Sequence, residues 1–172
     1  MTMKEEQNLV CKRLPCTEDT LKFISPFFAL EHVQKWIDDR WRTYYGIYDL
    51  FTAIRSGRVR GYGVFDVSDP MRFLGFILGW IDETGETFEL HTFFDRDTAT
   101  LEAINLCKNT VKDDYAKDGI LLKYAIGYIP DRNRAAKWLA LRAHCKDRGL
   151  RKDKIYHKGD YIFPCREYRF EW

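Results

Sequence analysis

The chain has no CxxC pair, no run of 18 apolar residues and almost no net charge. Its five cysteines (Cys11, Cys16, Cys107, Cys145 and Cys165) are odd in number and irregular in spacing, and neither Cys11 nor Cys16 has a histidine nearby. That pattern argues against both a secreted disulfide framework and a structural zinc site, so no metal is expected. The longest apolar stretch, Phe73 to Ile81, is strand length, so no membrane partner is expected. Met1 to Glu6 is polar and lacks the apolar core of a signal peptide, which points to the cytoplasm. Lys and Arg number 28 against 26 Asp and Glu, a net charge of +2. That balance excludes a bulk electrostatic nucleic-acid binder, and nucleic acid is not an expected partner. P-loop, HExxH and Ser-His-Asp patterns are also missing. With 172 residues, no internal repeat and no Gly/Ser linker, residues 1–172 read as a single domain.

What the chain has in excess is aromatic side chains: 12 Phe, 10 Tyr and 5 Trp, or 16% of its residues. Such residues fill cores, line ligand grooves and anchor interfaces, and composition does not choose among these. Their placement is more telling. Residues 8–14 predict a short strand. Thr17 to Asp19 supply N-cap signals for a helix through Ile24, which Pro26 is expected to interrupt. Val33, Trp36, Ile37 and Trp41 recur near helical spacing, and a second helix is expected over Tyr48 to Ile54. Val59–Val67, Met71–Ile81 and Thr87–Phe94 then predict three strands joined by tight turns, an antiparallel meander. A helix from Asp97 to Ala116, a strand from Ile120 to Ile129 and a helix from Asn133 to about Arg148, closed by Gly149, follow. Lys154–His157 and Tyr161–Phe170 are expected as closing strands. The order β-αα-βββ-α-β-α-ββ predicts an α/β (α+β) fold. Its mixed, mostly antiparallel sheet would be flanked by helices, with one parallel β-α-β crossover at 87–129.

This order resembles the Gcn5-related N-acetyltransferase (GNAT) superfamily. The stretches that carry the resemblance are "TFELHTFFDRDTATLEAINLCKNTV" and "LLKYAIGYIPDRNRAAKWLALRAHCKDRGL". Within the superfamily, Glu89-Leu90-His91 and "IPDRNRAA" are similar to a group of bacteriophage GNAT-like proteins, some of them labelled head-assembly proteins. The resemblance implies an acyl-CoA-dependent N-acyltransferase, moving acetyl from acetyl-CoA to the amine of a small molecule or protein. The alternative it implies is a catalytically degenerate fold serving as a phage assembly protein with a protein partner, located in the host cytoplasm.

The same resemblance implies where a site would lie. Family members splay the fourth and fifth strands, and acyl-CoA enters between them with its pyrophosphate on a Gly-rich turn opening the next helix. The matching stretch, residues 95–100, has Arg96 but no glycine, and it carries Asp95 and Asp97 where phosphate would sit. An ordinary capped helix is one reading of this turn. Cofactor binding through Arg96, Thr98 and Thr100, with Phe93, Phe94 and Asn133 alongside, is the other. Glu89 and His91 stand two apart on one strand and so face one side, where either could serve as general base. A buried, hydrogen-bonded strand histidine is the structural alternative. The family's acid, a Tyr late in the last helix, has no counterpart four residues before Gly149, where Cys145 stands and reads as a packed thiol, with a nucleophile as the alternative. Tyr128, Tyr124 and Tyr156 are the candidate substitutes, and Tyr128 is taken forward.

Residues 132–158 hold ten Lys/Arg against Asp147 and Asp153, which leaves 18 Lys/Arg against 24 acids elsewhere. This basic segment reads as a solvated helix face, or as a contact for the CoA 3′-phosphate, nucleic acid or an acidic partner. Trp36, Trp41, Tyr44, Tyr45, Tyr48 and Phe51 could wall a substrate groove, pack into the core or form an interface.

Overall fold

The computed structural model describes residues 8–36, 52–68, 72–95 and 100–172. A single seven-stranded sheet organises them, in the order β1-β2-β3-β4-β5-β7-β6. The strands are β1 (Leu9–Arg13), β2 (Arg60–Asp66), β3 (Arg72–Ile81), β4 (Thr87–Phe94), β5 (Tyr124–Pro130), β6 (Lys146–Lys158) and β7 (Tyr161–Glu171). The helices are α1 (Glu18–Phe28), α2 (Glu31–Gln34), α3 (Thr100–Lys117) and α4 (Arg134–Arg142). Residues 52–55 add a helical turn. β4 and β5 form the one parallel pair and the remaining pairs are antiparallel. The expected class, element order and crossover are therefore those observed.

Strand alternation splits the core in two. Phe76, Leu78 and Phe93 pack with Ile24 and Val33 on the α1/α2 face. Tyr62, Val64, Leu74, Phe88 and Phe94 pack with Ala103, Cys107, Val111 and Tyr115 on the α3 face. Phe93 stacks on Phe76 at 4.8 Å and contacts Phe28 at 5.0 Å. The aromatic excess thus serves packing on the first face.

Two helix boundaries differ from expectation. α1 runs through Pro26 to Phe28. Proline costs a helix the i→i−4 bond, here to Lys22, whose carbonyl is on an exposed residue. The preceding carbonyl, of Leu21, accepts from the Ser25 hydroxyl at 2.6 Å, so the last turn persists. The second difference is larger. α4 ends at Arg142, not at Arg148, and Gly149 is not its closing residue. His144 takes the left-handed conformation (φ 62°). Its N–H donates to Leu141 O at 3.1 Å, and the Cys145 N–H donates to Ala140 O at 3.0 Å. That is the Schellman pattern, with a histidine in the place usual for glycine. Gly149 (φ 95°) instead sits in β6, where Asp147 pairs with Tyr168 but Leu150 with Arg166, one residue too many on β6.

β6 slips a second time. Arg151 pairs with Cys165 and Ile155 with Pro164, so residues 152–154 form an unpaired insert. Residues 146–148, expected as the last turn of the helix, therefore begin a long, twice-bulged edge strand.

Candidate active site

β4 and β5 pair at only three positions: Thr87 with Tyr124, Phe88 with Ala125 and Glu89 with Ile126. Beyond these β4 continues along β3 to Phe94, and β5 continues along β7 to Pro130. The two strands diverge, and a cleft of about 1610 Å³ passes between them. Leu90 to Phe94 line one edge and Gly127 to Pro130 the other. His32 braces the far end of β4, its Nε2 donating to the Phe94 carbonyl at 2.8 Å.

Register places the candidate side chains. Glu89 is opposite Ile126, so Glu89, His91 and Tyr128 share the α1/α2 face. Glu89 Oε1 lies 3.6 Å from His91 Nε2, and the His91 ring stacks on Trp80 with centroids 5.1 Å apart. Lys154, carried by the three-residue insert, places Nζ 3.5 Å from Glu89 Oε2 and 4.4 Å from the centre of the Tyr128 ring. Burial raises the Tyr128 phenol above its ordinary range, and the charges of Glu89 and Glu167 add to the rise. The phenol is thus protonated throughout the neutral range and available as a donor.

Behind Tyr128 stands a buried acid that the sequence patterns did not single out. Glu167, opposite Tyr128 on β7, is 1% exposed. Arg151 Nη1 reaches its Oε2 at 2.5 Å, and Arg169 grips its Oε1 through Nε (2.9 Å) and Nη2 (2.6 Å). A carboxylate this deep is tolerated because both oxygens are paired. The alternation of β7, "REYRFE", places Glu167 and Arg169 on one face, and this was the available signal.

The other expected residues separate. Phe93 and Phe94 line the cleft, and their side chains are buried in the two cores. Asn133 is buried and caps α4, its Oδ1 accepting from the Ala136 N–H at 3.1 Å. It holds the helix that forms the cleft wall. Thr100 lines the cleft at the first turn of α3. Arg96, Asp97 and Thr98 lie outside the described residues, as do Trp41, Tyr44, Tyr45, Tyr48 and Phe51. Because His144 ends α4, the residue four before it is Ala140, which lines the cleft and bears no proton to give. The closing position inferred from Gly149 had pointed to Cys145 instead. Burial raises the Cys145 thiol, with Lys108 opposing the rise, as befits a packed thiol. Among the described residues no three His, Cys, Asp or Glu converge to hold a metal ion, and no helix is long and apolar enough to cross a membrane.

No family model matches the chain, and no curated protein matches it in sequence. Solved structures do match its shape. It is similar to an acetyltransferase from Salmonella typhimurium that modifies the N-terminal serine of a 50S ribosomal subunit protein. The TM-score there is 0.71, with 14% identity over 95% of each chain. It is similar to a Vibrio cholerae spermidine N-acetyltransferase solved with CoA and spermine. That match has a TM-score of 0.69 and 15% identity, over 93% of this chain and 94% of that one. A Bacillus anthracis acetyltransferase of the GNAT family matches at 0.69 and 14%, over 99% and 98%. The fold is the GNAT fold, and identities this low speak to fold alone.

Proposed function

We propose that the chain is an acyl-CoA-dependent N-acyltransferase, moving acetyl from acetyl-CoA to an amine. One observation carries the reading. The two central strands part after three pairs, and the cleft between them is open and bordered by a carboxylate, a histidine and a protonated phenol. A fold kept for assembly alone would have no use for this gap, and a side chain filling it would favour that alternative.

The roles follow from placement. The amine must lose a proton to attack, and Glu89, with His91 3.6 Å away, is the acceptor on the α1/α2 face. The nitrogen forms its bond to the thioester carbon as the C–S bond breaks and the electron pair stays on sulfur. Tyr128 donates a hydrogen bond on the same face. Acetyl-CoA would be held by the backbone of Phe93 and Phe94, by Thr100 at the start of α3, and by Arg96 and Thr98. Asn133 acts by fixing α4. The acceptor is the amine of a small molecule or of a protein N-terminus, the two classes named for the similar structures.

The test is release of free thiol from acetyl-CoA against a panel of small amines and N-terminal peptides. The reading expects amine-dependent release that falls with Glu89→Gln. It fails if no amine raises thiol release above simple hydrolysis.

A further inference from the structure

The opposite wall of the cleft holds a buried cation. Lys108, on α3, is 7% exposed and lines the cleft. Its Nζ donates to the Ala143 carbonyl at 2.8 Å and lies 3.7 Å from the centre of the Phe170 ring. Among the described residues no carboxylate pairs with it. Burial lowers this ammonium below the ordinary lysine range, and the Cys145 thiol partly offsets the fall. A buried cation facing a cleft without a counter-ion is costly until an anion arrives.

Register says where that anion would be. Phe170 is opposite Ala125 on β5, and Ala125 is opposite Phe88 on β4, one pair before the strands part. Lys108 therefore stands at the crotch of the V, on the face opposite to Glu89. Ala140 and Ala143 line the cleft beside it and leave room. An acyl group at the crotch would have the proton acceptor for the amine in front and an ammonium behind.

We propose that Lys108 meets the negative charge that develops on the leaving sulfur and holds it as a thiolate. This rests on the acyl-CoA reading above. As the C–S bond breaks, the pair stays on sulfur beside the Lys108 ammonium, which keeps its proton. The thiolate takes a proton from solvent as CoA leaves. The ammonium has three donors and Ala143 uses one. Tyr128 stands on the other face, so its removal leaves this role intact.

The experiment titrates the thiol of bound CoA by its thiolate absorbance, with the complex of desulfo-CoA as the blank. Titratable groups lining the cleft include Tyr168 and Cys145 on the side of Lys108 and Glu89, His91 and Tyr128 on the α1/α2 face, and the blank cancels their own signals. A neighbouring cation lowers such a group by about 1–3 pH units. The wild type should therefore titrate at least about one unit below free CoA, Tyr128→Phe likewise, and Lys108→Met at or above free CoA. Lys108→Arg, which keeps the charge should the methionine variant not fold, should retain a lowered value. CoA that binds with an unshifted thiol in the wild type overturns the proposal, as does an unchanged shift in a folded Lys108→Met. Failure of CoA to bind overturns the acyl-CoA reading itself and this proposal with it.

Discussion

Gly79 is the position where a single methyl group tests the geometry of the cleft most economically. It lies on β3 opposite Leu90, beside the last residues of β4 that pair with β5. A Cβ there would press on Phe88 Cζ and the Glu89 carbonyl oxygen, and would lie 2.7 Å from Phe88 Cε1. Ordinary contact begins at 3.4 Å, so β3 and β4 must separate by roughly 0.7 Å or more. The Phe88 ring cannot yield, being 1% exposed between Tyr62 and Tyr115. Overpacking of this kind costs about 1–3 kcal/mol. In a chain of this length that is a fall in Tm of about 2–12 °C. The strain falls on the backbone of Glu89, so acyl transfer should drop further than stability does. A shift near 1 Å can cost about 100-fold. Urea unfolding of Gly79→Ala, followed by thiol release from the folded variant, reads both effects. Gly127→Ala is the control, since a Cβ there meets nothing within 4 Å. Stability within about 0.5 kcal/mol of wild type for Gly79→Ala, the range of a neutral surface change, would refute the packing described here.

Three further outcomes follow. Glu89→Gln should lower kcat/KM by about 100-fold or more while leaving Tm within a few degrees, because general-base catalysis contributes on that order. Tyr62→Phe removes the 2.8 Å bond to Asp114 and should cost about 1–2 kcal/mol by urea titration, Asp114 keeping its pairs to Arg60 and Arg13. Burial pushes Asp147 up, but the Gly149 N–H and the Arg166 guanidinium outweigh it and hold the carboxyl below its ordinary range. Its folded value lies below its unfolded one, so its stabilisation is full above the unfolded value and fades as pH falls through the folded one. The stability gap between wild type and Asp147→Asn should accordingly be present at pH 7 and shrink below about pH 4.

The central strands were legible because they are buried on both faces. Thr87–Phe94 needed no adjustment, β2 is one residue shorter at each end than expected, and β5 begins at Tyr124 rather than Ile120. The basic segment was not legible, for physical reasons. β6 is an edge strand whose side chains are mostly exposed, so it shows no apolar alternation, and its two bulges break what period there is. The true stop of α4 was concealed because a histidine, not a glycine, takes the left-handed position, while Gly149 offered a false one. Of the site, Glu89 and His91 were readable from strand spacing. Lys154 was not, since it reaches Glu89 only through the unpaired insert. Lys108 did leave a trace: it falls on the buried stripe of α3, four after Ile104 and three before Val111.

The most direct test of the cleft's role is calorimetric titration of acetyl-CoA into the wild type and into Gly127→Trp. Gly127 lines the cleft on the face opposite Glu89, and a Cβ there meets nothing within 4 Å, so the substitution directs an indole into the gap. The account predicts saturable heat at one site per chain for the wild type and its loss in a Gly127→Trp variant of unchanged Tm. No heat from the wild type at millimolar acetyl-CoA, or equal binding by both proteins, would contradict it.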